Sequence, residues 1–132
     1  MAERKSLYAE YPEHRVDLEA NPNRIRVTVA GELLADSSRT TLVRETAHEP
    51  VVYFPREDVR SELIERTEHE TFCPFKGAAS YWTIRVSGRA EENAVWSYEE
   101  PFPEVTGLAG LMAFYADRVD WDFGDSGPPR RA

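Results

Sequence analysis

The chain has 132 residues, with 24 acidic side chains against 16 basic ones and a net charge of −8. That length suits one domain, and a domain of this size buries roughly two-thirds of its unfolded surface. The acidic balance argues against a nucleic-acid surface, which needs a basic face, and one cysteine excludes both an intrachain disulfide and a multi-cysteine zinc site.

Apolar residues make up 41% and aromatics 11%, so a globular fold is expected rather than disorder. There is no apolar run near the ~18 residues that a membrane span requires. The opening Met-Ala-Glu-Arg-Lys-Ser is followed by no apolar core, so it does not read as a signal peptide. The cytoplasm is the expected location, with no membrane and no nucleic acid as partner.

Residues 1–24 are polar, carry Pro12 and Pro22, and read as an N-terminal arm. Ile25-Arg-Val-Thr-Val-Ala alternates at period two, which predicts a strand facing the core with Ile25, Val27 and Val29. Gly31 and Glu32 turn the chain into a short strand over Leu33 to Asp36, making a hairpin. Further strands are expected over Thr40 to Thr46 and Val51 to Phe54. Between Arg56 and Thr67 the pattern changes. Pro55 suits a helix start, Glu57 and Asp58 suit its positive end, and Val59, Leu63 and Ile64 form an apolar stripe. One short helix is expected there. Strands follow over Glu70 to Cys73, Tyr81 to Val86 and Ala94 to Tyr98. Leu111-Met-Ala-Phe-Tyr-Ala has helical propensity, but Gly110 and the continuation Val-Asp-Trp-Asp-Phe favour a strand. A single domain over 25–123 with a tail over 124–132 results, mainly β, an antiparallel sandwich or barrel with one short helix.

The stretch from His69 to Trp82 organises the rest. It holds the only cysteine, Cys73, and Lys76, one of two lysines against fourteen arginines. Lysine is a compact point charge and arginine a planar fork, so the choice is physically meaningful. Pro74 keeps Cys73 out of the α region, and Gly77 allows positive φ or close approach of a ligand. The turn would bring the Cys73 thiol towards the Lys76 ammonium, and a nearby cation raises a thiol's thiolate fraction. A buried structural cysteine and a lysine that only caps a turn are the alternatives.

These pieces together resemble a known bacterial family. They are Ala35-Asp-Ser, Glu45, Val52-Tyr-Phe-Pro-Arg-Glu-Asp-Val, Thr71-Phe-Cys-Pro-Phe-Lys-Gly, Ala79-Ser-Tyr-Trp, Ala94-Val-Trp-Ser-Tyr-Glu-Glu-Pro and Ala113-Phe-Tyr-Ala-Asp-Arg-Val. Their order and spacing are similar to domain-of-unknown-function family 427, sometimes labelled a nucleotidyltransferase, over roughly residues 25–122. Phe75 departs mildly from the tyrosine or tryptophan expected there. The resemblance implies a mainly-β domain of β-tent form and no defined activity. It carries over Cys73, Lys76, Gly77, Tyr81 and Trp82 as site residues, and more weakly Tyr53 and Glu45.

Nucleotidyl transfer needs carboxylates that hold magnesium and a loop that seats the triphosphate. Asp120 and Asp122 share a strand face, but no Gly-rich phosphate loop accompanies them. His69 and Cys73 have a superficial metal spacing, yet on a strand four residues span roughly 13 Å, too far for one ion. No cofactor and no metal are expected. The function expected is a small-molecule pocket at the Cys73–Gly77 loop, with Lys76 binding an anion or carbonyl, Cys73 lining it or acting as nucleophile, and Tyr81 and Trp82 as its apolar wall, one pointing outward and one inward. The alternative is a non-catalytic interaction module in which the loop is structural and a sheet edge pairs with a partner or a second copy.

Overall fold

The computed structural model describes residues 5–130. Ten strands form three antiparallel sheets: β1 (Val16–Asn21), β2 (Ile25–Val29), β3 (Glu32–Ser37), β4 (Thr40–Glu45), β5 (Val51–Tyr53), β6 (Ile64–Cys73), β7 (Gly77–Val86), β8 (Arg89–Ser97), β9 (Met112–Phe114) and β10 (Asp120–Asp122). Their orders are β1-β4-β5, β10-β2-β3 and β6-β7-β8-β9. The fold is mainly β, as the alternating patterns require, and none of the sheets closes into a barrel.

Two of the sheets are stitched into one surface. Phe54 N–H donates to the Met112 carbonyl at 2.7 Å and Met112 N–H returns to Phe54 at 2.9 Å, so β5 continues into β9. Successive side chains on this joined surface alternate between its faces. Leu42, Val52, Phe54, Trp82, Met112 and Phe114 point towards Ile25, Val27, Val29 and Leu34 of the remaining sheet, forming the main core. Their chain neighbours Val43, Tyr53, Tyr81 and Ala113 point the other way and pack under Val105 and Leu108. Ile25, Val27 and Val29 are buried as period two demands. A fully buried side chain of this size contributes about 1.5–3 kcal/mol over an exposed one, which fixes the register of β2.

Three segments differ from the sequence expectation. The helix expected over 56–67 is instead two single 3-10 turns, Arg56–Asp58 and Ser61–Leu63, followed directly by β6. Sheet contacts interrupt the stripe: Val59 bridges Ala35, Arg60 N–H donates to the Leu34 carbonyl at 2.8 Å, and Ile64 pairs with Ile84. A helix would leave those groups unpaired. The strand expected over Glu70–Cys73 is ten residues long. The segment read as an arm contains β1, which pairs with the whole of β4. The preference for strand beyond Gly110 holds for Met112–Phe114 and Asp120–Asp122, with a 3-10 turn over Ala116–Arg118 between them.

Candidate functional site

The Cys73–Gly77 turn is held from both sides. Cys73 and Gly77 are register partners, and Lys76 N–H donates to the Cys73 carbonyl at 3.2 Å. Gly77 has φ +114°, and a Cβ there would sit 3.4 Å from the Glu100 carbonyl oxygen and 3.5 Å from Pro101 Cα. The positive φ is what favours glycine here, since the Cβ contacts would be ordinary van der Waals ones. On that side Phe102 N–H donates to the Lys76 carbonyl at 3.0 Å. On the other side the N-terminal arm clasps the turn. Leu7 N–H donates to the Pro74 carbonyl at 3.0 Å, and the Tyr8 hydroxyl donates to the Phe75 carbonyl at 2.7 Å. Burial, then the charges of Glu104, Cys73 and Glu45, push the Tyr8 phenol up to about 12, which keeps it a donor. The His14 ring lies on Phe75, with centroids 3.9 Å apart and planes 20° apart.

This clasp sets the environment of Lys76, which is 7% exposed. Its ammonium donates to Glu45 Oε1, and the other carboxylate oxygen, Oε2, lies 2.8 Å from His14 Nε2. Burial pushes the Glu45 carboxyl up, but the Lys76 hydrogen bond and charge, together with the His14 bond, outweigh it and hold it below its ordinary value. An ammonium carries three donors. Among the described residues Glu45 is the one side chain that accepts from it, so two N–H groups of a buried cation have no side-chain acceptor.

Beside this pair lies a half-open cleft of about 450 Å³. Tyr53, Tyr81, Trp96, Tyr98 and Tyr115 supply its aromatic walls, Val43 and Val51 add aliphatic surface, and Glu45, Cys73 and Lys76 line its polar end. Trp96 Nε1 donates to the Tyr53 hydroxyl at 3.1 Å, which leaves the Tyr53 proton free to donate. Tyr81 and Thr71 hydroxyls lie 2.9 Å apart. Burial raises the phenols of Tyr53 and Tyr98 far above the ordinary tyrosine value, so both are neutral hydrogen-bond donors at physiological pH. The cleft therefore offers phenolic and ammonium donors on apolar walls, within the size range of small-molecule sites.

Of the residues read from the sequence, Cys73, Lys76, Tyr81, Tyr53 and Glu45 come together around this cleft. Gly77 shapes the turn without lining it. Trp82 points to the opposite face, buried in the main core, with the guanidinium carbons of Arg56 and Arg66 5.3 and 5.1 Å from its ring centre. Neighbouring strand residues cannot share a face, so only Tyr81 walls the cleft. His48 is exposed at the rim. Asp120 and Asp122 are exposed on β10, and among the described residues no three His, Cys, Asp or Glu side chains converge as metal ligands.

His14 escaped the sequence reading. It sits in the polar arm, 31 residues from Glu45, and no local pattern marks it. Trp96 and Tyr98 lie two residues apart, at and just beyond the end of β8, and that period-two spacing is the signal that could have placed both on the cleft side.

No curated protein matches this sequence. A family model described as a domain of unknown function (DUF427) matches residues 17–124, a span that takes in Glu45, Cys73 and Lys76 and leaves His14 outside. The match covers most of the chain and all three sheets, and the chain belongs to the DUF427 family.

Proposed function

We propose that the cleft binds a small molecule whose acceptor oxygen, carbonyl or anionic, takes the two Lys76 donors without a side-chain acceptor. The observation that carries this reading is the buried Lys76 ammonium with Glu45 as its side-chain partner, facing aromatic walls. Leaving such donors unmet in a buried place costs free energy, and a ligand oxygen removes that cost. Cys73 lines the same end and is the nucleophile if the bound group undergoes chemistry. Nucleotidyl transfer fits the cleft poorly, because its one lysine is already paired and it presents no trio of carboxylates for magnesium.

The interaction-module reading takes second place on one ground. β6 forms an outer edge of its sheet and exposes Glu65, Arg66, Glu68, His69 and Glu70. Charged edges resist pairing with another strand. The test is a metabolite screen by mass spectrometry on protein purified from cells, run on the parent and on Lys76→Met. The reading expects a small carbonyl or carboxylate compound retained by the parent and lost from the variant, and retention of a Cys73 adduct lost in Cys73→Ser if the thiol reacts. Equal retention by parent and Lys76→Met contradicts it.

A further inference from the structure

A second cleft of about 390 Å³ adjoins the first. The two share Glu49, Val51, Trp96 and Tyr115 as common walls. Beyond those residues the second cleft is lined by Val52, Phe114, Trp121 and Phe123. Trp121 and Phe123 stack with centroids 5.3 Å apart and planes 3° apart, and Trp121 also lies over Phe54 at 6.3 Å. This cleft is apolar where the first is donor-lined, and Tyr115, 44% exposed, stands at their junction.

Resting on the reading of the first cleft, we infer that the two form one bipartite site for a neutral carbonyl compound with an apolar tail. The carbonyl oxygen accepts from Lys76, and the tail passes Trp96 and Tyr115 to lie against Trp121 and Phe123. Two observations choose this occupant. The clefts adjoin along shared wall residues, so a molecule seated at Lys76 and longer than the first cleft would extend along that wall towards the second. The charge balance favours a neutral head: Glu45 already neutralises Lys76, and the whole chain carries −8. A carboxylate head would add an anion to a site with no unneutralised lysine to meet it.

The test uses the full-length chain and a series of linear methyl ketones of increasing length, with the matching linear carboxylates as a second series, titrated by calorimetry. For the ketones, affinity should rise roughly fourfold per added methylene once the tail passes Tyr115, with the carboxylates weaker at every length. Phe123→Ala should flatten the rise for long members and leave the shortest ketones unchanged, and Trp121→Leu provides a second variant should the first melt early. Lys76→Met should weaken every member by a similar factor. Short ketones that bind with no gain from length, or a gain that both groove variants leave intact, overturn the inference while leaving the Lys76 reading in place. Carboxylates that bind tighter than ketones overturn the neutral head. No binding by any member removes the Lys76 reading and this inference with it. A dimer in sedimentation that separates on Phe123→Ala assigns the apolar cleft to a second copy and likewise overturns it.

Discussion

Lys76 is bound by the carboxylate of Glu45, 31 residues earlier in the chain, and that single contact ties β4 to the turn between β6 and β7. Both side chains are nearly buried, at 9% and 11% exposure. Such a pair gives little net stability over an apolar replacement, yet removing one partner strands the other charge.

Lys76→Met is therefore expected to lower stability by about 3 kcal/mol, since Glu45 keeps only His14 as a side-chain partner. The double variant Lys76→Met, Glu45→Gln should recover a large part of that loss, because no buried charge is left behind. Urea denaturation of the parent, both single variants and the double variant measures the coupling. Strict additivity would mean that the two side chains act independently. The consequence for function is that ligand binding by Lys76 variants must be read against their melting curves.

The same pair sets an acid dependence. The Glu45 carboxyl is held below its ordinary value of 4.5 in the folded chain. The unfolded chain thus takes up the proton first as pH falls, so this stability is present above 4.5 and is lost as pH drops through the folded value. Denaturation midpoints should fall more steeply below pH 4.5 for the parent than for Glu45→Gln. Parallel acid limbs in the two proteins would contradict the assignment.

Gly77→Ala places a Cβ against the Glu100 carbonyl oxygen and Pro101 Cα at a φ of +114°. That backbone conformation costs an alanine about 1–3 kcal/mol. The expected result is a loss of that size in chemical denaturation, with the Phe102-to-Lys76 backbone bond as the first to loosen in hydrogen exchange. Unchanged stability would show that the turn can relax at no cost.

Much of this architecture was legible in the residues. The alternation of Ile25, Val27 and Val29 places β2, and Pro74 with Gly77 marks the turn that carries Lys76. The misread segment at 56–67 has a helical stripe in Val59, Leu63 and Ile64, but stripe spacing alone carries no information about Ala35 or Ile84, the strand partners that claim it. Trp82 illustrates the same limit. Strand alternation already sets it and Tyr81 on opposite faces, but only the packing shows that Trp82 is the one that turns into the main core and Tyr81 the one that meets the cleft. The cleft itself rests on contacts such as His14 to Glu45 that join distant parts of the chain, and these leave no trace in local spacing.

The central claim is that Lys76 presents uncommitted N–H donors to a ligand. The chain contains only two lysines, Lys5 and Lys76, so protein labelled with nitrogen-15 lysine gives two side-chain ammonium signals. Lys5 is exposed and lies outside the cleft lining, which makes it an internal control. Titration with a short methyl ketone, followed by nitrogen-15 NMR of the ammonium groups, is the most direct measurement. The account predicts a saturable shift and slowed proton exchange at the Lys76 signal with no change at Lys5. A ketone that leaves the Lys76 signal where it was, or moves both signals alike, would contradict it.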